Sequence, residues 1–302
     1  MRSLKSLCYI TLLAFAILPL TFLSCSSDDG EEEGNATSKN ENANILTAST
    51  PNEILRLEFP KIKGGNNLVI VHSTSKYGVT YSLEWDCSKK SQRWSCYEMY
   101  AGNSVANTSR YIAKDGEDQY PQDTSIPREY RFSEDPFYYS GYDHGHICPS
   151  ADRLCSSEAN KQTFFLSNMQ PQVNGFNAGV WEKMEAQVRT WNKNSFRDTL
   201  YVCKGGTIDN ADQIITTTSK GMIVPKYFFM AILCKNAMGY KALGFWVEHK
   251  ASNDTGLAKY VVNIDTLEKY TGIDFFCNLP DNIEKSVEGL NVENVKRAWG
   301  LQ

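Results

Sequence analysis

Alternation of apolar with polar side chains is the main pattern of the chain from about residue 66 onward. Runs of this kind, or runs rich in β-branched and aromatic residues, are typical of half-buried strands. They lie at residues 68–72, 81–85, 94–100, 199–203, 226–234 and 240–249. Short polar segments separate the first three runs, which predicts an antiparallel meander.

The clearest helical pattern spans residues 177–192, because apolar side chains recur there at spacings of three and four. They are Val180, Trp181, Met184, Val188 and Trp191. Asn177, Glu185 and Arg189 stand at i, i+8 and i+12, so at about 100° per residue they spread over about 120° of the helix surface. We therefore expect these three polar side chains along one edge of a cleft.

Weaker patterns fill the rest of the chain. Ser156 begins a predicted short polar helix, and residues 163–169 predict a strand. Residues 262–276 predict a short helix followed by an aromatic strand or loop, and residues 291–299 predict a closing helix. Residues 101–142 have no sustained period, and loops of that length are often functional. The predicted fold class is α+β, an antiparallel sheet with a few helices packed on it.

The first 24 residues have the layout of a secretory signal. Arg2 and Lys5 precede an apolar run over residues 7–23, and Cys25 follows almost at once, as in exported proteins. A single membrane anchor is the alternative, although threonine and proline residues interrupt the apolar run. The small Ser24 before Cys25 is typical of a lipoprotein cleavage site, after which the Cys25 thiol is diacylated, although Phe22 stands where such sites usually have leucine.

Residues 25–50 are predicted to form a disordered tether, because they are polar and offer almost nothing to bury. Their acidic start resembles the export signals of surface-exposed lipoproteins. We therefore expect an outer-membrane lipoprotein exposed on the cell surface and attached to the membrane by its lipid. The folded domain is predicted over residues 51–302.

Charge limits how this protein can bind nucleic acid. Without the first 24 residues, 29 basic residues face 35 acidic ones, a net charge of −6. Five of the acidic residues lie before Gly34, so the remaining body carries 29 against 30, or −1. A near-neutral body argues against a protein that coats nucleic acid by charge alone, since such binding depends on many phosphate contacts.

Seven cysteines remain once Cys8 is assigned to the signal and Cys25 to the lipid. Disulfides are expected in an exported protein. Closeness in sequence favours bridges of Cys87 with Cys96 and of Cys148 with Cys155, and Cys203 with Cys234 could join neighbouring strands, which leaves Cys277 over. The sequence does not determine the connectivity. A zinc site is the alternative, although no Cys-x2-Cys or His-x3-His spacing occurs.

Side chains suited to phosphodiester hydrolysis are concentrated between Asp143 and Arg189. This reaction needs a base, a cation and a group that holds the phosphate. His146 is the best candidate base because imidazole titrates near neutrality. Asn177 offers a hard oxygen of the kind that Mg²⁺ accepts, Glu185 can orient water around such an ion, and Arg189 can clamp phosphate oxygens. Structural roles remain open, since an asparagine at a helix start is often an N-cap.

The spacing of these residues resembles the DNA/RNA non-specific endonuclease family, which includes secreted bacterial nucleases and mitochondrial endonuclease G. The motifs that carry the resemblance are Asp143-His144-Gly145-His146, Ser167-Asn168 with Pro171-Gln172, and Asn177 followed eight residues later by Glu185. The resemblance extends over about residues 66–278. It implies the ββα-metal nuclease fold, with the histidine and metal site between a strand and a helix.

The resemblance also implies a role for each matching residue. His146 would be the general base, Asn177 the ligand of Mg²⁺, and Glu185 the partner of water around the ion. Mn²⁺ or another divalent ion remains an alternative. Asn168 would help to shape the site, and Arg189 would stabilise the pentacovalent phosphate. The substrates would be DNA and RNA, cut to leave 5′-phosphates.

Two points stay open at this stage. The family's loop arginine corresponds to Arg128 or Arg131, and the sequence does not choose between them, nor does it say whether the chain forms a homodimer.

His144 stands where the family has arginine, beside the Asp143 that begins the motif. Because an imidazole is shorter and only partly charged near pH 7, we expect weaker attraction for phosphate. A catalytically weak lipoprotein that binds nucleic acid or acts as a scaffold is therefore the alternative function.

Overall fold

The predicted meander forms one side of a seven-stranded sheet in the computed structural model, which describes residues 39–301. The strands are β1 (Asn67–Thr74), β2 (Gly78–Asp86), β3 (Ser91–Tyr100), β4 (Asp143–His146), β5 (Met169–Gln172), β6 (Thr199–Gly206), β7 (Ile214–Thr217), β8 (Ile223–Pro225), β9 (Tyr227–Asn236), β10 (Gly239–Glu248) and β11 (Val261–Val262). The helices are α1 (Ser157–Gln162), α2 (Glu182–Trp191), α3 (Ile264–Thr271), α4 (Asp281–Glu288) and α5 (Val292–Trp299).

The large sheet has the strand order β1-β2-β3-β6-β9-β10-β11, and every pair in it is antiparallel. Two separate two-stranded ribbons, β4 with β5 and β7 with β8, complete the described strands. Antiparallel sheet and flanking helices confirm the predicted α+β class.

The two faces of the sheet bury different hydrophobic clusters, because successive side chains of a strand point to opposite faces. On β9, Phe228, Met230 and Ile232 join the cluster that also contains Met184 and Val188 of α2. Alternate residues of the same strand join the cluster that contains Ile264 and Leu267 of α3 and Val287 of α4; they are Phe229, Ala231 and Leu233. We call these the α2 face and the α3 face.

The structure corrects two predicted elements and adds one that was not predicted. Residues 163–169 are not a strand: a 3-10 turn occupies Leu166–Asn168, and β5 begins only at Met169. The predicted helix 177–192 begins as a π-helical turn over Phe176–Trp181, and α2 itself starts at Glu182. Helix α4 was not predicted at all.

The predicted tether and the structure differ over residues 39–50. Asn44 is buried, and its side-chain amide donates to the carbonyls of Ile54 and Pro60 at 3.0 and 2.9 Å. Asn40 donates to the carbonyl of Leu279 at 2.7 Å. Asparagine side chains therefore attach this segment to the folded domain by hydrogen bonds. The prediction of a tether rested on the lack of apolar residues and so did not include such bonds. The signal, Cys25 and the first part of the tether lie outside the described residues.

The predicted disulfides are wrong in this structure, where all seven cysteines of the described chain are free and buried. In two of the three proposed pairs, the two cysteines point to opposite faces of the sheet. Cys87 and Cys234 lie in the cluster of the α2 face, whereas Cys96 and Cys203 lie in that of the α3 face. Closeness in sequence or in strand order therefore did not bring the paired sulfurs together.

Within residues 39–301, none of the helices combines the length and the apolar character needed to cross a bilayer.

Candidate active site

The ribbon of β4 and β5 presents the Asp-His-Gly-His motif. His146 pairs with Met169 and Gly145 with Gln170 in this ribbon. A Cβ atom on Gly145 would stand 2.3 Å from the Gln172 side chain and 2.6 Å from the Gln170 carbonyl oxygen. Only glycine fits at this point, so the close approach of β5 explains the glycine between the two histidines.

The His146 imidazole lies against aromatic rings and has a free nitrogen. Its ring packs edge-on against Phe164 at a centroid distance of 4.9 Å. Its Nε2 atom is buried and has no hydrogen-bond partner among the described residues. Burial, and next the positive charge of Arg110, lower the pKa of His146 to about 3. The ring is therefore neutral at physiological pH and retains a lone pair that can accept a proton.

Asn177 is oriented by a carboxylate of the same motif. Its side-chain nitrogen donates to Asp143 Oδ2 at 3.0 Å, and Asn174 donates to the same oxygen at 2.9 Å. An ionised carboxylate has no hydrogen to donate and can only accept hydrogen bonds, so the amide nitrogen of Asn177 must face it. The carbonyl oxygen of Asn177 is thereby left free for a ligand, since no described residue donates to it.

Gly179 lets the chain turn between Asn177 and α2. Its backbone angles, φ −106° and ψ −116°, are not helical. A Cβ atom there would stand 2.3 Å from the carbonyl oxygen of Ser252. The π-helical turn around this glycine places Asn177 before the regular helix that carries Glu185 and Arg189.

A buried ion pair lies behind the helix. Lys204 of β6 donates to Glu185 Oε1 at 2.7 Å, and its ammonium also lies 4.7 Å from the centroid of the Trp181 ring. Only 1% of the Lys204 side chain and 12% of the Glu185 side chain are exposed. Burial raises the pKa of Glu185, whereas Lys204 acts in the opposite direction. The lysine therefore favours the ionised form of a carboxylate that borders the cleft.

Two arginines bring positive charge to the cleft. Arg189 contacts Asp152 Oδ1 at 3.2 Å. Arg110 comes from the long loop, donates to the Ser150 hydroxyl and lies over the Phe164 ring at 4.8 Å. Both guanidinium groups are placed where they can contact an anionic substrate.

Arg128 and Arg131, the predicted loop arginines, do not line this cleft. Arg128 is exposed in a short 3-10 turn. Arg131 donates to the carbonyl of Asp123 at 3.3 Å and lines a separate cavity of about 30 Å³. Arg110, from the same loop, lines the cleft instead.

His144 is fixed among aromatic rings. It is stacked on Tyr120 at a centroid distance of 3.7 Å and on Phe137 at 4.2 Å. Its Nε2 atom lies 3.0 Å from Asp135 Oδ2. Burial acts to raise the pKa of Asp135, but the hydrogen bonds from His144 and from the Phe137 backbone outweigh it, so the pKa is lowered. The imidazole that replaces the family's arginine is therefore held by three partners, one of them a carboxylate.

Asn168 supports the ribbon from within the protein. It is fully buried, donates to the carbonyls of Cys148 and Thr163 at 2.8 Å each, and accepts from the Cys148 backbone at 2.9 Å. These bonds fix the chain directly after His146. Asn168 thus shapes the site without lining it.

The structure brings most of the predicted residues into one cleft of about 580 Å³. Its principal polar lining residues are Arg110, Asp143, His144, His146, Asn177, Glu182, Glu185 and Arg189. Sequence reasoning missed Lys204 and Tyr120. The signal for Lys204 was available, because position 204 falls in phase with the buried Leu200 and Val202 of the same strand.

Residues 66–282 match the model of the DNA/RNA non-specific endonuclease family. The chain belongs to this family. The match covers all the cleft residues named above. The predicted ββα-metal nuclease fold is confirmed by this match and by the similarity to a chain of the EndoG/EndoGI complex.

Relatives of known name support the assignment. The chain is 28% identical over 274 residues to the mitochondrial nuclease of Saccharomyces cerevisiae. This alignment covers 80% of this chain and 83% of the yeast protein. It is 35% identical over 177 residues to a nuclease of Syncephalastrum racemosum, covering 53% of this chain and 55% of that protein. A chain in the crystal structure of the EndoG/EndoGI complex aligns with a TM-score of 0.56 and 26% identity, covering 69% of this chain and 86% of that one. Family and relatives identify a nuclease that acts on nucleic acids.

Proposed function

We propose that this protein is a divalent-metal-dependent endonuclease that hydrolyses the phosphodiester bonds of DNA and RNA and leaves 5′-phosphates. The observation that carries the proposal is the pairing of two unused ligand atoms in one cleft. The neutral Nε2 of His146 and the carbonyl oxygen of Asn177 both lack partners among the described residues. A proton acceptor and a hard oxygen ligand for a cation supply two of the three requirements of this hydrolysis.

The cleft suits a hard divalent cation such as Mg²⁺ or Mn²⁺. Asn177 would hold the ion, and Glu185 would orient the water around it. Oxygen donors with few direct protein contacts are typical of Mg²⁺, which keeps most of its waters. When bound, the cation would supply positive charge that stabilises the developing phosphorane and the departing oxygen.

The protein's own residues would carry the remaining steps. His146 Nε2 takes a proton from water as the water oxygen bonds to phosphorus. The bond from phosphorus to the 3′ oxygen breaks, this oxygen takes a proton from the water that Glu185 would orient, and the phosphate stays on the 5′ side. Arg110 and Arg189 offset the charge on the phosphate oxygens. Because these groups address the backbone, which carries no sequence information, cleavage is expected without sequence specificity.

Export and lipidation at Cys25 remain part of the proposal, on the signal-like pattern of residues 1–24. The acidic segment after Cys25 supports display on the cell surface. Labelling of cells with a radioactive fatty acid tests this. Incorporation into the wild-type protein and none into Cys25→Ser supports lipidation, and equal labelling of both, or of neither, contradicts it.

Digestion assays test the activity. The purified protein is incubated with plasmid DNA and with RNA, in Mg²⁺ or in EDTA. We expect both substrates to be cut in Mg²⁺ and neither in EDTA or by His146→Ala. Nucleic acid that is retained but not cut would contradict catalysis and support the binding or scaffold function. Ligation of the products without kinase treatment tests for the 5′-phosphate.

A further inference from the structure

Helices α3 and α4 bring acidic side chains together on the α3 face of the sheet, away from the cleft. Carboxylate oxygens of Asp265, Glu268 and Glu288 all lie within 4.8 Å of one another. Asp265 and Glu268 belong to α3, and Glu288 is the last residue of α4. Asp265 is exposed and Glu268 is partly exposed, so the cluster opens to solvent.

Glu288 is the member of the cluster that points to a ligand. Its side chain is buried, with 6% of the residue exposed, and its Oε1 atom has no hydrogen-bond partner among the described residues. An unpaired carboxylate oxygen away from water is costly unless a cation or a proton compensates it. Its position at the C-terminus of α4 adds to that cost, because the helix dipole is negative there.

No described cation forms an ion pair with this cluster. None of the three carboxylates forms a salt bridge within residues 39–301, and neither do the neighbouring Glu284 and Asp274. Those two acids are joined instead by the neutral amide of Asn42, which donates to Glu284 at 2.8 Å and to Asp274 at 3.2 Å. The cluster is therefore a group of carboxyl side chains without a matching positive side chain.

The carboxylates oppose each other's ionisation. Burial, and next the charges of Glu268, Glu284, Asp274 and Asp265, raise the pKa of Glu288 to about 10. Burial likewise raises the pKa of Glu268 to about 8. A bound divalent cation would offset the repulsion between these carboxylates when they are ionised.

We propose that Asp265, Glu268 and Glu288 bind a calcium ion that joins α3 to α4, at a site distinct from the catalytic cleft. The donor atoms are all hard oxygens, the type that Ca²⁺ and Mg²⁺ select over softer metals. Calcium binds oxygen at 2.3–2.6 Å, so ligands on opposite sides of the ion stand up to about 5 Å apart, and it tolerates irregular geometry. Magnesium requires shorter distances and near-octahedral order, which three side chains from two helices suit less well.

The bound ion is expected to stabilise the fold. It would connect two helices that are separated in sequence and that pack on the same hydrophobic cluster through Ile264, Leu267 and Val287. A ligand that binds only the folded state raises the melting temperature in proportion to the logarithm of its concentration above Kd. Catalysis depends on the opposite face of the sheet, so this effect does not require the cleft.

The test compares the melting temperature of the chelator-treated protein with and without millimolar Ca²⁺. We expect Ca²⁺ to raise the melting temperature by several degrees in the wild type and equally in Asn177→Ala, which lacks the ligand in the cleft. Glu288→Gln is expected to lose the shift. Asp265→Asn changes an exposed residue and is expected to fold, and its calcium Kd measured by calorimetry should rise at least tenfold.

Three results would overturn the proposal: no shift in the wild type, an unchanged shift in Asp265→Asn and Glu288→Gln, or loss of the shift in Asn177→Ala alone. The last result would place the calcium in the catalytic cleft. An equal or larger shift with Mg²⁺ at the same concentration would overturn the choice of calcium. Because the assay measures unfolding, failure of the nuclease proposal would leave these outcomes unchanged.

Discussion

The side-chain nitrogen of Asn177 lies 3.0 Å from Asp143 Oδ2, and this hydrogen bond determines how the asparagine is turned in the cleft. The carboxylate takes the nitrogen, so the carbonyl oxygen is available for a cation. The first residue of the Asp-His-Gly-His motif thus acts through Asn177, 34 positions further along the chain.

Removing this carboxylate is predicted to weaken metal binding more than turnover. In Asp143→Ala, the Asn177 amide loses the partner that orients it. Loss of such an outer partner typically costs about 10- to 100-fold in metal affinity. The Mg²⁺ concentration for half-maximal activity should rise by that factor, as measured by titration of initial rates. Asn174→Ala is the matched control, because it removes the other donor to Asp143 Oδ2 and should stay within about twofold of wild type. Equal effects in both variants would contradict the role of Asp143.

The pair of Lys204 and Glu185 is predicted to support stability as well as the site. Lys204→Met leaves a largely buried carboxylate without its partner, and breaking a buried pair in this way costs about 3–5 kcal/mol. Urea denaturation should show a fall of that order in the free energy of unfolding. The double variant Lys204→Met with Glu185→Gln should recover most of the loss but not the nuclease activity. A single variant as stable as wild type would show that the pair contributes nothing.

Arg110, and not Arg128, is predicted to contact the substrate. Arg110→Ala removes a positive charge that lines the cleft, so kcat/KM should fall by about 100-fold or more, the size of effect seen when one group that stabilises developing charge is lost. Arg128→Ala is the control at an exposed position of the same loop, and its kcat/KM should be near that of wild type. Circular dichroism of both variants verifies folding. A larger loss from Arg128→Ala would contradict the assignment of Arg110.

His146 is predicted to keep its catalytic form in mildly acidic solution. Its pKa is lowered to about 3, first by burial and then by Arg110. An imidazole with the usual pKa near 6.5 would be about 76% neutral at pH 7 and only about 3% neutral at pH 5, a loss of roughly 25-fold in active base. We expect no such loss in kcat/KM between pH 7 and pH 5. Titration of the His146 ring by NMR measures the pKa directly, and a value near 6.5 would contradict the prediction.

The same shift has a consequence for stability. The folded protein holds His146 neutral, whereas the unfolded chain protonates it near pH 6.5. The contribution of this residue to stability is therefore fully present above pH 6.5 and is lost as the pH falls toward 3.

Local spacing made part of the site predictable. Asn177, Glu185 and Arg189 lie close together in sequence and follow helical periodicity. The sequence alone therefore predicts that they line one edge of the cleft, even though a π-helical turn precedes α2. Arg110 and Lys204 come from a loop and a strand distant in sequence. The alternation of β6 indicates the face of the sheet to which Lys204 points, but the approach of both residues to His146 depends on tertiary packing.

Strands were predicted better than pairings across the sheet. The six alternating runs correspond to β1, β2, β3, β6, β9 and β10 because alternation reports directly on burial of one face. Two of the three cysteine pairs failed because they depend on the face to which each residue points, and therefore on register. Helix α4 was missed because its few apolar side chains, such as Ile283 and Val287, give too short a pattern.

Anomalous diffraction from crystals soaked in Mn²⁺ tests the central claim most directly. We predict an anomalous peak in the cleft within about 2.2 Å of the Asn177 carbonyl oxygen, close to the distance typical of a small divalent ion, with His146 Nε2 on the opposite side of the space for the phosphate. An ion bound elsewhere in the cleft without Asn177, or no peak at a Mn²⁺ concentration that supports cleavage, would contradict the account.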